Sequence, residues 1–163
     1  MEKPSIAVIG IGNILMKDEG VGCHAANLLL SQYEFEPEIT IIDAGTTGTD
    51  LLPYLEKHSR IIILDAVDFE REPGFIGSIE NNDILTRLTT KMSMHHMGIT
   101  DVLSTAKLLD IVPEQIFLLG MQPKDLSVGM EMTEVVKNRL PRMLEVAVMK
   151  LEEWGVKTKP TEE

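Results

Sequence analysis

The sequence predicts an α/β protein, a three-layer α/β/α sandwich built on a mostly parallel five-stranded sheet. Three observations carry that expectation. Apolar runs alternate along the chain with segments of helical periodicity, the pattern of strands joined by crossover helices. The most apolar run, RIIILDAVD (60–68), shows no polar alternation, as a strand covered on both faces requires. A length of 163 residues with 44% hydrophobic side chains suits the core of one domain, expected over 1–156.

The elements follow in order. SIAVIG (5–10) reads as a buried strand, and Val21, Ala25, Leu28 and Leu29 then recur at helical spacing. EITIIDAG (38–45) is a second strand, followed by a short helix around 49–58. After the 60–68 strand, GFIGSIE (74–80) is a weaker strand suited to a sheet edge. Ile99, Val102, Leu103, Ala106 and Leu109 mark a helix, and QIFLLGMQP (115–123) is the last strand. A long amphipathic helix spans about Thr133 to Trp154, with a kink or restart expected at Pro141 because proline lacks the N–H. The tail 157–163 is expected to be disordered. Ten methionines fall mostly at apolar helix positions and read as core filler, with an adaptable groove conceivable around Met92, Met94 and Met97.

Charge narrows the function. Lys and Arg number 15 against 26 Asp and Glu, a formal net charge of −11. That surface is wrong for nucleic acid or an anionic membrane and suits a protein partner. The lone Cys23 cannot form an internal disulfide, no leader peptide is evident, and no apolar stretch approaches the ~20 residues of a membrane span, so a cytoplasmic protein is expected.

Ligands of such sheets bind where strands end, at the loops 10–20, 43–49 and 65–73. GIGNILMKDEGVG (10–22) opens like a dinucleotide-binding turn, but Leu15 stands at the third glycine position and no G-K-[ST] follows. Asp18 and Glu19 would repel a phosphate there. Asp18 reads as a helix cap and Glu19 as an acid on the positive helix end. Asp43 closes TIID and Asp65 closes IIILD, each at a strand end. Either alone is a common turn-former; three acids at one sheet edge need something cationic between them. His95 and His96 precede the 97–109 helix and can bring an imidazole to the acids. Glu19, Asp65 and one histidine would make a mixed oxygen and nitrogen site fit for zinc, nickel or iron. Cys23 reads as a small buried thiol and His58 as a solvated side chain.

Together these residues resemble the hydrogenase maturation endopeptidases over nearly the whole chain. VIGIGNILMKDEGVG is similar to the family's N-terminal signature, IIDAGTTG to its D-G-G-T-x-G segment, and MHHMGITDVL to its H-x-x-G segment. IIILDAVD carries its second acid, and MQPKDLSVGMEMT matches a further stretch. Ala44 replaces the family's usual glycine. The resemblance implies a twisted, largely parallel sheet between helices. It implies an endopeptidase that removes the C-terminal extension of a [NiFe]-hydrogenase large-subunit precursor after nickel insertion. It implies Glu19, Asp65 and His95 as metal ligands, with His96 the alternative ring. The nickel would be supplied by the precursor, so the isolated protein is expected to be metal-free; the oligomeric state is left open, with a monomer favoured. Two mechanisms stay open: the metal polarises the carbonyl or activates water, or it serves as a recognition mark while Asp43 assists the water. A nucleotide enzyme, a nickel metallochaperone and a non-catalytic binding module are the rival readings.

Overall fold

The computed structural model describes residues 4–46, 51–88 and 99–162. In chain order the elements are β1 (Ile6–Ile11), a 3-10 turn (Lys17–Gly20), α1 (Val21–Gln32), β2 (Tyr33–Glu36) and β3 (Thr40–Gly45). Next come α2 (Leu52–Lys57), β4 (Arg60–Ala66), β5 (Ile76–Glu80) and α3 (Asn82–Arg87). The chain ends with α4 (Ile99–Leu108), β6 (Gln115–Met121), α5 (Glu134–Glu153) and β7 (Lys157–Pro160).

Side-chain alternation along the strands builds the layers. Ile6 and Val8 of β1, Ile62 and Leu64 of β4, and Leu119 and Met121 of β6 join the core under α1 and α5. Their neighbours Ala7, Ile9, Ile61, Ile63 and Leu118 join a second core under α2, α3 and α4. Each fully buried Ile or Leu of this kind contributes about 1.5–3 kcal/mol. The sheet order is β3-β1-β4-β6-β5. The first four strands are mutually parallel, while β5 lies antiparallel at the edge where its weak pattern suggested. The result is the expected α/β sandwich with a mostly parallel five-stranded sheet.

Three local expectations are corrected. The tail does not stay unpaired: Lys157–Pro160 forms β7 antiparallel to β2, a small second sheet whose Tyr33 and Phe35 pack on the α1/α5 core. Of the kink or restart expected at Pro141, the restart does not occur, because α5 runs as one helix from Glu134 to Glu153. Pro141 and Lys137 are both exposed, so the Lys137 carbonyl that loses its helical donor can turn to water. His58 is buried rather than solvated, with Nδ1 2.9 Å from the Tyr54 carbonyl oxygen and Nε2 3.3 Å from Thr40 Oγ1. The methionines divide: Met121 and Met143 are core residues, Met130 and Met149 are exposed, and Met92, Met94 and Met97 lie outside the described residues. Among the described residues no helix is long and apolar enough to cross a membrane.

Candidate active site

The glycine turn after β1 is built for contact between backbones. Gly12 sits at φ +144°, and a Cβ there would collide with the Glu19 carbonyl oxygen. A Cβ at Gly22 would collide with the carbonyl oxygens of Leu64 and Ile11. The space a phosphate would need is filled by the chain itself. These close approaches press the start of α1 against the end of β4, and the 3-10 turn packs directly on β4. Glu19 stands half-buried in that turn. Gly12 N also donates to the Gly45 carbonyl at 2.9 Å, which ties the turn to the loop after Asp43.

The three strand-end acids do not occupy equivalent places. Asp65 is only 2% exposed, and its Oδ1 accepts the Ala66 N–H at 2.8 Å. Asp43 is exposed. β1 lies between their strands, with Gly10 in register with both Asp43 and Leu64. Two inter-strand spacings separate the backbones of β3 and β4 by about 10 Å. Alternation then turns the two acids apart. Asp43 faces α1, where Asn27 Nδ2 donates to its Oδ2 at 3.0 Å. Asp65 follows Ile61 and Ile63 toward the α2/α4 side.

That side also receives α4, whose Ile99, Val102, Leu103 and Ala106 pack in the same core. The segment leading into α4 carries His95 and His96, both of which lie outside the described residues. Among the described residues no three His, Cys, Asp or Glu side chains gather as a metal site. The described residues therefore do not by themselves assemble the expected set of Glu19, Asp65 and a histidine. The donor types fit the expected ions: carboxylate oxygens with an imidazole suit nickel, zinc or iron, and leave positions for ligands from another molecule.

Asp43 has a defined environment. Gly45 N donates to its Oδ1 at 3.2 Å while Asn27 holds Oδ2. Partial burial pushes the carboxyl up, but hydrogen bonds from the Cys23 thiol, Asn27 and the Gly45 N–H, helped by the charge of His24, outweigh it and hold the group below the usual carboxylate range. Cys23 is the buried thiol that was expected, with Sγ 3.5 Å from the Gly12 carbonyl oxygen. Burial first, and then the hydrogen bond and charge of Asp43, push this thiol far above its ordinary value, so it is no nucleophile. On the α1 side a groove of about 710 Å³ opens between α1 and α5, lined by His24, Asn27, Leu28, Leu140 and Leu144 among others.

Asp18 does not cap the helix that follows it. Its carboxylate is fully buried and reaches across to the chain after β6. Oδ2 accepts the Lys124 and Asp125 N–H groups at 2.9 and 3.1 Å and the Thr133 hydroxyl at 2.8 Å, and Oδ1 accepts the Thr133 N–H at 2.7 Å. Thr133 is the residue from which α5 starts. The same strap is clasped by Lys17 N to the Gly129 carbonyl, Gly129 N to the Leu15 carbonyl, and a Lys17–Asp125 ion pair at 2.9 Å. The strap organises the acidic loop after β4 as well. Gln122, 8% exposed, accepts the Phe69 N–H at 2.6 Å on Oε1 and donates through Nε2 to Asp68 at 3.0 Å. Sequence reading passed over Gln122; its one signal is a polar side chain directly after the apolar run IFLLGM.

Comparison with known proteins bears on the family and the fold. Residues 23–150 match the family model described as hydrogenase maturation protease. The chain is similar to the hydrogenase expression/formation protein HupD of Rhizobium leguminosarum bv. viciae, 40% identical over 94% of this chain and 77% of that protein. It is 31% identical to the hydrogenase 2 maturation protease of Escherichia coli over 96% of each. Among solved structures, the hydrogenase maturating endopeptidase HybD from E. coli superposes with a TM-score of 0.89 at 30% identity, covering 96% of this chain and 97% of that one. A [NiFe] hydrogenase maturation protease HybD from Thermococcus kodakarensis gives 0.75 at 27% identity, over 90% and 98% of the two chains.

Proposed function

The chain belongs to the hydrogenase maturation proteases, and from that premise we propose that it removes the C-terminal extension of a [NiFe]-hydrogenase large-subunit precursor once nickel is in place. Glu19, Asp65 and His95 are the ligands that meet the nickel. The observation carrying this reading is the convergence at the end of β4. There the glycine contacts press the turn that carries Glu19 against β4, the strand that ends in the buried Asp65, which supports the reading.

The nickel arrives with the substrate and is recognised as part of it. Two carboxylates and an imidazole complete the coordination of an ion already held by the precursor, so only a loaded precursor docks its cleavage site correctly. Bound this way, the metal supplies a Lewis acid beside the scissile carbonyl. Asp43 is a weak base, because its hydrogen bonds hold it ionised. It is suited to orient the attacking water rather than to strip it unaided. One water is consumed: its oxygen bonds to the carbonyl carbon, the C–N bond breaks, one of its protons ends on the leaving amine and the other is released from the new carboxyl group.

Incubation with a nickel-loaded precursor, followed by mass measurement of the precursor, tests this. Loss of a C-terminal fragment is expected, and Glu19→Gln, Asp65→Asn and His95→Ala should each abolish it. An unchanged precursor mass would favour a nickel chaperone or binding module, and normal rates in all three variants would overturn the ligand assignment.

A further inference from the structure

We propose that Asn27 is a positioning residue for Asp43, locking the carboxylate in one orientation at the end of β3. The inference rests on the reading of Asp43 as the group that orients the water. Its basis is geometric. Asn27 lies on α1, one helical turn after Cys23, so its side chain lies over the Cys23 carbonyl. Nδ2 donates at 3.0 Å to that carbonyl and at 3.0 Å to Asp43 Oδ2. Both amide hydrogens are engaged, so the side chain cannot swing without giving up one bond. The Gly45 N–H holds the other carboxylate oxygen at 3.2 Å. Each oxygen of Asp43 thus has a fixed nitrogen donor, with the Cys23 thiol as a further donor to the carboxylate, and rotation about the Cβ–Cγ bond is blocked from both sides. Two carboxylate oxygens offer about four acceptor sites, so capacity is left for a water or a substrate N–H.

The arrangement also joins parts of the site that the sequence keeps separate. Asn27 is anchored to the helix that the glycine turn presses onto β4, and the same amide holds β3. A carboxylate on β3 is therefore indexed to the turn that carries Glu19, although β1 runs between them. The contact lies at the surface, with both Asn27 and Asp43 exposed, so its removal should cost the fold little. That separates a positioning role from a structural one.

The experiment measures kcat, KM and melting temperature for Asn27→Ala and Asn27→Asp on nickel-loaded precursor, together with the Asp43 carboxyl ¹³C shift of the isolated protein. Asn27→Asp keeps the shape, removes the donor and sets a second carboxylate against Asp43. Both variants should lose kcat about tenfold with KM held within about twofold, while the melting temperature moves by less than about 2 °C. In an Asp43→Ala background Asn27→Ala should cause no further loss, because a residue acting through another is silent once that other is gone. An unchanged kcat in both variants, or an equal loss in the Asp43→Ala background, overturns the proposal. A wild-type rate for Asp43→Ala would instead overturn the catalytic reading of Asp43. The ¹³C shift keeps the two failures apart: no change between wild type and Asn27→Ala means that the contact itself does not orient the carboxylate.

Discussion

Replacing Asp18 with alanine takes the acceptor from four donors at once: the N–H groups of Lys124, Asp125 and Thr133, and the Thr133 hydroxyl. The hydroxyl can rotate to another acceptor, but the three backbone groups cannot. A buried donor left unsatisfied costs about 1–3 kcal/mol. The space vacated by a carboxylate admits a water that recovers part of this, so a net loss of about 3 kcal/mol is expected from the lower end of that range. For a chain of this length that corresponds to a fall in melting temperature of about 6–12 °C. Asp18→Asn keeps one oxygen. If the oxygen takes the Oδ2 place, the amide nitrogen faces the Thr133 N–H and one donor meets another, so about 2 kcal/mol should still be lost. Calorimetry on wild type, Asp18→Ala and Asp18→Asn gives the three values. The reasoning fails if Asp18→Ala destabilises by less than about 1 kcal/mol, or if the asparagine variant matches wild type. Because Asp18 adjoins Glu19, Asp18→Ala should also slow processing at temperatures where the protein is still folded.

Gly22→Ala should destabilise by about 3 kcal/mol or more, because the obstructing atoms are the Leu64 and Ile11 carbonyls and overpacking against backbone cannot relax. Gly155→Ala, at φ +93° with nothing near its Cβ, should lose only about 1–2 kcal/mol of backbone strain; equal urea midpoints for the two variants would contradict the packing argument. The strap after β6 should loosen in acid. Hydrogen bonds from the Ser127 hydroxyl and N–H, with Lys17 beside them, hold Asp125 well below the usual carboxylate range. Its folded value lies under its unfolded one, so the stabilisation is present above an ordinary Asp value of about 4 and is lost as pH falls below it. Asp125→Asn should therefore flatten the fall in melting temperature below about pH 4, and a slope parallel to wild type would count against it.

Much of this protein was legible in its sequence because the signals are local. Alternation between apolar strands and amphipathic helices set the layer order, and the same period of two sorted Ile61 and Ile63 from Ile62 and Leu64 into opposite cores. The placing of Asp43 and Asp65 at strand ends, and the failure of residues 10–22 as a phosphate turn, follow from residue type and spacing. Register and long-range partners do not. Nothing near Asp18 shows that its acceptors serve Lys124, Asp125 and Thr133, more than a hundred positions away. A polar strand such as β7 has no apolar pattern of its own and exists because β2 supplies its hydrogen bonds.

The sequence by itself determined the fold class, the edge of the sheet where chemistry can occur, and the acids that stand there. Tertiary structure alone decided which way those acids turn. With β1 running between β3 and β4, Asp43 is delivered to Asn27 on α1 and Asp65 to the side of α4. The physical reason is that a residue's type and its position along a strand are local properties, whereas its neighbours depend on which strands pair and in what register.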